Sequence, residues 1–450
     1  MLQKVLIFAL LIIVYLIWYC ILLVRKRDVT YLFFSFVITC IPFQMSIPLF
    51  VPHYSTAIGT GSFTAKIFLM VPFIASLILL VKQKHKNLLH IYKNENWVLW
   101  VLVLILISVL NPYNFARWGT VAFAVIFLSY IFYFRLIYES LNPVQVLNGI
   151  FASFLFLCVL QFILAVLYPL MGVSFVTTIF QAGGEGWATR NGTRAGAIGV
   201  FVTPANLGLF TVLASGFFFS TYLGGFNKKI SLGLLGINSI TIVLTYSRTS
   251  YITLVVILFA LFYLFKNAEK SLFSFKSIFL GLIPALCAVY WLVFFSPFSE
   301  TFLKTNADEM AQARLDHWVM GLNIFKSSPV IGVGINTHLE FVAHNISLNK
   351  QIHNDFLTSN PIHNTHLIIL AESGIIGFLL WLLFLIFSFQ KAKWNIQHHI
   401  NVILSLTQIA LILTYVVYGF TDWAPLSHST FPIFLLFTYF NHKYSICLKS

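Results

Sequence analysis

Thirteen apolar runs, most of them long enough to cross a bilayer, set the terms on which this chain can fold. They lie near residues 5–24, 30–47, 65–81, 97–111, 119–135, 145–170, 199–222, 230–246, 248–265, 277–296, 364–388, 400–419 and 430–440. The second, eighth and last are short or poorly bounded, so a count of twelve is equally defensible. A transmembrane helix needs about 20 apolar residues, and only helices or closed barrels satisfy their backbone hydrogen bonds in lipid. The runs predict an all-α fold: a polytopic transmembrane bundle of 12–13 spans, forming one integral membrane domain over 1–450. Composition agrees, with 59% hydrophobic and only 9% charged residues, against about a quarter charged in soluble domains. That excludes a soluble enzyme, a disordered chain and a secreted disulfide scaffold. The first run is too long for a signal peptide and lacks a small-residue cleavage site, so it reads as an anchor. The five cysteines are scattered without metal-ligand or disulfide-framework spacing.

The net charge of +14 would suggest nucleic acid for a soluble protein, but here the charges first sort by membrane side. Arg25, Lys26, Arg27, Lys82, Lys84, Lys86, Lys93, Arg135, Lys228, Lys229, Lys266, Lys270, Lys276, Lys391, Lys393, Lys443 and Lys449 follow alternate spans. These seventeen of 27 cations mark the cytoplasmic side. The C-terminus is then cytoplasmic, and thirteen spans place the N-terminus outside. Five of the eight arginines fall on the outer face: Arg117, Arg190, Arg194, Arg248 and Arg314. Topology does not explain cations there. A planar guanidinium suits bidentate contact with phosphate, while solvated or ion-paired surface arginine is the structural alternative.

Two outer loops are long, at 171–198 and 297–362, and loops beyond about 15 residues are usually functional or disordered. The first is rich in Gly and Arg. The second contains NADEMAQARLDHWVMGLNIFKSS, an amphipathic pattern that predicts a helix ending before Pro329, Gly332 and Gly334.

Several outer residues are candidates for chemistry. Arg248 stands at the outer junction of the eighth and ninth spans, where an arginine either snorkels or meets an anion. Arg190 and Arg194 flank Asn191–Gly192 and can clamp an anion or form a solvated loop tip. Arg314 and Trp318 share a helix face at i,i+4, which lies on the membrane, covers a site or is a plain cation–π pair. His363 opens the eleventh span at the membrane mouth, placed to move a proton near neutral pH, with Asn364 to orient it or bind a hydroxyl. His363 and His366 have the spacing of a metal pair, but without a convincing carboxylate or outer cysteine the reading is no metal and no cofactor. Glu372 lies nine residues further, about 13 Å down an ideal helix. It is either functional or the neutraliser of an arginine such as Arg248. Gly374 and Gly377 allow close approach beside it.

In order and membrane placement these fragments resemble the O-antigen ligase and O-antigen polymerase superfamily of bacterial membrane glycosyltransferases. The likeness covers about 190–390. It rests on Arg194 through Thr203-Pro204-Ala205-Asn206, on Ser247-Arg248, and on Arg314 four before Trp318. It continues in Pro329-x-x-Gly332-x-Gly334, His363-Asn364-Thr365 and Glu372-x-Gly374-Ile-x-Gly377. Ala205 separates Pro204 from Asn206, and Thr249 stands where the family often has Gly. The first 180 residues match no family motif.

The resemblance implies a multi-pass protein of the bacterial cytoplasmic (inner) membrane. It implies transfer of glycan, with inversion and without metal, from a polyprenyl-diphosphate-linked oligosaccharide at the outer face. The acceptor is another glycan (polymerase, slightly favoured) or lipid A–core (ligase); the partners are these substrates and membrane lipid, with no nucleic acid. In that reading His363, Arg248 and Arg314 are catalytic. Arg194, Arg190, Asn364, Trp318 and Glu372 bind substrate. A transporter or flippase of lipid-linked glycans is the alternative. It would place binding groups near the midplane, and apart from Glu372 the sequence has no strong candidate there.

Overall fold

The computed structural model describes residues 29–42, 46–48, 64–82, 96–171, 196–201, 203–269, 307–345, 361–427 and 429–444. Thirteen α-helices fall in these segments: α1 Val29–Cys40, α2 Ile67–Lys82, α3 Asn96–Leu110, α4 Arg117–Ser140, α5 Pro143–Met171, α6 Pro204–Leu223, α7 Lys228–Thr245, α8 Arg248–Glu269, α9 Ala307–Ser327, α10 His338–His344, α11 Thr365–Gln397, α12 Val402–Gly419 and α13 Phe431–Tyr444. A ribbon of two three-residue strands, β1 Ser46–Pro48 and β2 Thr64–Lys66, pairs antiparallel between α1 and α2. The fold is a polytopic helical bundle. Eleven of the thirteen expected spans coincide with helices; those at 5–24 and 277–296 lie outside the described residues. Seven helices (α4 to α8, α11 and α12) are long and apolar enough to cross a membrane. α1, α2, α3 and α13 are shorter, at 12, 16, 15 and 14 residues.

Polarity explains which helix sits innermost. α6 is among the least hydropathic of the seven, yet 83% of its apolar window is buried, against 22% for α8 and 28% for α11. Only a helix surrounded by protein can afford Thr211, Ser215 and Ser220 within the bilayer. Their hydroxyls donate to the carbonyls of Leu207, Thr211 and Gly216 at 2.7–2.8 Å, which removes the cost of burying them. α7, α8 and α12 pack around α6, α11 packs on α12, and α13 lies against α4 and α12. The expected span at 199–222 begins later, at Pro204. Proline at the first helical position and Thr203 as N-cap, accepting from the Asn206 amide at 3.2 Å, fix that start.

The predicted outer-loop helix is α9, which packs on α11. Beyond it, the Pro329–Gly334 turn and the start of α11 interlock. α11 breaks its helical backbone at Gly374 (φ 63°, ψ −168°). The amides of Ile375 and Ile376 then donate to the carbonyls of Pro329 and Val330, while those of Val333 and Gly334 donate to Ala371 and Glu372. Two glycine motifs some forty residues apart are therefore one structural unit. The approach that Gly374 permits is by this turn rather than by a helix. A Cβ on it would overlap the Val330 carbonyl, and a Cβ on Gly377 would meet the Ser373 side chain of its own helix.

Candidate functional site

The glycine unit places Glu372 beneath α10. Its buried carboxylate accepts from the amides of Asn336 (2.8 Å), Thr337 (3.0 Å) and His338 (3.3 Å), and from His338 Nδ1 at 2.6 Å. An ionised carboxylate only accepts, so the proton of that last bond sits on Nδ1. Glu372 thus caps the N-terminus of α10, where negative charge is favoured, and its partner is His338 rather than an arginine. Removing it leaves this set of buried donors unmet. Glu372→Ala is expected to cost about 3–5 kcal/mol of stability, measured as a lower thermal unfolding midpoint of the purified protein.

The same turn is held from the other side by the C-terminal end of α3 and the N-terminal end of α4. Asn111 Nδ2 donates to the Gly332 carbonyl at 2.7 Å, Thr120 Oγ1 to Ile335 at 2.7 Å, and the Ile335 amide to Ser108 Oγ at 2.7 Å. The N-terminal half, which carries no recognisable motif, is part of the scaffold of this face.

His363 lies just before α11, nine residues ahead of Glu372. Asn364 is the N-cap: its side-chain oxygen accepts from the Leu367 amide at 3.0 Å, and its Nδ2 donates to the Phe420 carbonyl at 3.3 Å. Those bonds commit Asn364 to holding the helix start that presents His363. The Thr365 amide and hydroxyl donate to the Asp422 carbonyl at 3.2 and 2.8 Å. That places Asp422, on the segment following α12, beside His363. The Asp422 carboxylate accepts from the Ala424 amide at 3.0 Å, which fixes its direction.

Burial lowers the His363 pKa most; the negative charge of Asp422 raises it, and the positive charge of Arg314 lowers it again. His363 is therefore a neutral imidazole near pH 7, with one carboxylate and one guanidinium in electrostatic reach. His317, a turn beyond Arg314 on α9, packs against His363 with ring centroids 5.1 Å apart and the planes tilted by 33°. It is fully buried, and burial together with His363 and His338 pushes its pKa down to about 3. His317 thus stays uncharged and forms a wall rather than a charge.

Arg248 begins α8, directly after the left-handed Tyr246 (φ 54°) and Ser247, and its side chain is exposed. Its neighbours Ser247 and Ser250 meet the Tyr418 hydroxyl at 3.2 and 3.1 Å, and Tyr418 donates to the Ala205 carbonyl at 2.7 Å. Thr249 and Thr421 are joined hydroxyl to hydroxyl at 3.0 Å. The junction bearing Arg248 is thereby tied to α12, and through Thr421 and Asp422 to His363. Arg314 is exposed and Trp318 is 39% exposed on α9. Arg190 and Arg194 lie outside the described residues. Among the described residues no three His, Cys, Asp or Glu side chains converge as a metal-ligand set.

Residues 233–382 match the family model described as O-antigen ligase. The matched stretch, about a third of the chain, is similar to that family. No curated protein matches the chain. The O-antigen ligase match runs from α7 through the first half of α11. It includes Arg248, Arg314, Trp318, the glycine unit, His363, Asn364 and Glu372. Tyr418 and Asp422 lie C-terminal to it and are joined to it by hydrogen bonds. Sequence reasoning singles out His363 for its position at a membrane mouth; Asp422, just beyond α12, has the same position and is missed. His338 gives no signal, because its carboxylate partner is 34 residues away. The match and the seven apolar helices support a multi-pass membrane protein that is similar, over about a third of its length, to the O-antigen ligase family.

Proposed function

We propose that this protein transfers glycan from a polyprenyl diphosphate donor to a glycan acceptor at the outer face of the bacterial cytoplasmic membrane, as a polymerase in preference to a ligase. The observation that carries the reading is His363 at the start of α11, with Asp422 bonded to that start through Thr365, Arg314 in electrostatic reach, and the Arg248 junction tied to the same region. In the proposed step the acceptor hydroxyl oxygen attacks the anomeric carbon opposite the diphosphate. Its proton passes to His363 as the carbon–oxygen bond to the diphosphate breaks. The leaving group carries its charge away against Arg248 and Arg314, with Arg194 as a third cation, so that fixed charges stabilise it. The negative charge of Asp422 favours the protonated form of the imidazole as the step completes. Trp318 and Arg190 bind the sugars, and Asn364 and Glu372 hold the frame. Inversion at the anomeric carbon and independence from metal belong to this proposal.

The assay is reconstitution with polyprenyl-diphosphate-linked repeat units as the only glycan, the products being resolved by length. A ladder supports a polymerase. Product only after addition of lipid A–core supports a ligase. Movement of intact lipid-linked glycan across the bilayer with neither product supports a transporter.

Charge changes around the base have opposite expected signs. A base works unprotonated, so rate rises with pH through its pKa. Asp422 raises that pKa, so Asp422→Asn is expected to shift the acid limb of the pH–rate profile to lower pH and lower the plateau. Arg314 lowers it, so Arg314→Gln is expected to shift the limb to higher pH. Limbs that stay in place in both variants would remove these residues from the neighbourhood of the base.

A further inference from the structure

Between α3, α4, α11, α12 and α13 runs an apolar groove of about 820 Å³, walled by Trp97, Trp100, Phe127, Trp381, Phe384 and Phe387 among others. One end reaches Glu372 and Ser373, on the side of the candidate site; the other reaches Lys391, Asn441 and His442. Lys391 is nineteen residues beyond Glu372 along α11, about 28 Å at 1.5 Å per residue. That is close to the hydrocarbon thickness of about 30 Å. The groove therefore runs from one membrane face toward the other.

Its charges are unequal at the two ends. Among the described lining residues the basic side chains are Lys391 and His442, both at the end away from the site, and the acidic one is Glu372 at the site end. A lipid whose head lay on the site side would bring its phosphate toward Glu372. A lipid entering from the opposite leaflet would bring it to Lys391 and His442 and lay its chains along the aromatic wall. Trp97, near the start of α3, packs on Phe384 midway along the aromatic wall, with ring centroids 5.6 Å apart. Lys391 Nζ rests 4.9 Å over the Trp394 ring, which holds the ammonium at its end of the groove.

We infer that this groove binds an anionic phospholipid of the leaflet opposite the candidate site, with its phosphate at Lys391 and His442 and its acyl chains against the aromatic wall. The inference does not depend on the reaction proposed above. Native mass spectrometry of the delipidated full chain tests it, with phosphatidylglycerol or phosphatidylcholine of matched chains added. Wild type is expected to retain phosphatidylglycerol about fivefold better, the scale of one basic residue near an anionic headgroup. The double variant Lys391→Gln/His442→Gln is expected to hold both lipids equally, with its lipid-free thermal midpoint unchanged. Ser388→Trp, which fills the groove, is expected to lower retention of both. Equal retention by wild type overturns the inference, whether or not the variants fold. So does phosphatidylglycerol preference persisting in the double variant. One-for-one displacement by a polyprenyl phosphate overturns it too, by showing that the groove takes a polyprenyl tail in place of the opposite leaflet's lipid.

Discussion

His363→Ala is expected to lower glycan transfer by about 10²- to 10⁴-fold, the usual contribution of a positioned acid–base group, in a protein that still folds. The second half of that expectation follows from the helix start. The cap of α11 is supplied by Asn364, and the Thr365–Asp422 bonds use Thr365; none of them requires the imidazole. The variant is therefore expected to keep the thermal midpoint of the wild type to within a few degrees and to keep binding the donor. Turnover and donor affinity measured on the same preparation check it. A fall in affinity that accounts for the whole loss would assign His363 to binding rather than to proton transfer.

Gly374→Val is expected to prevent folding. The residue has φ 63°, a left-handed backbone that a β-branched side chain strongly resists, and its Cβ would overlap the Val330 carbonyl and lie 2.6 Å from the Gly332 amide nitrogen. The obstacle is backbone on both sides, so no side-chain rotation relieves it. The cost is expected to exceed about 4 kcal/mol, a range reached by few single substitutions, and to appear as loss of folded protein on purification. Gly236→Ala is the control. It sits within α7, where an added methyl would meet nothing within 4 Å, and is expected to be neutral or to stabilise by about 0.5–1 kcal/mol. Similar yields of the two variants would show that the turn and α11 do not interlock as described.

The bundle is legible in the sequence because lipid imposes one rule on every span, and the apolar runs record it directly. α9 is legible because its amphipathic period stops at a proline and two glycines. The centre of the bundle is harder to see: α6 is innermost for its serines and threonines, which a hydropathy reading counts as weakness. The proposed site residues His363, Arg248 and Arg314 stand out in the sequence because chemistry and membrane position coincide there. The site is illegible where a role depends on contacts distant in sequence. Glu372 reads as an intramembrane carboxylate in want of a purpose. Its four donors come from residues 336–338, which no local spacing connects to it. Asn364, read as orienting His363 or binding a hydroxyl, is the N-cap that holds the helix start beside His363, a role its position before Thr365 already allows. Asn111, Ser108 and Thr120 belong to the part of the chain without a motif, yet they fasten the turn that carries the glycine unit.

The central claim is glycosyl transfer at the His363 cluster, and the most direct measurement is release of free polyprenyl diphosphate by the purified protein in detergent. A micelle has no two sides, so transport contributes nothing to the signal. With a lipid-linked glycan as donor and either a second copy or lipid A–core as acceptor, wild type is expected to release polyprenyl diphosphate in step with product. His363→Ala is expected to stay at background. Absence of release with every acceptor, from a protein that moves the intact lipid-linked glycan across vesicles, would contradict the account.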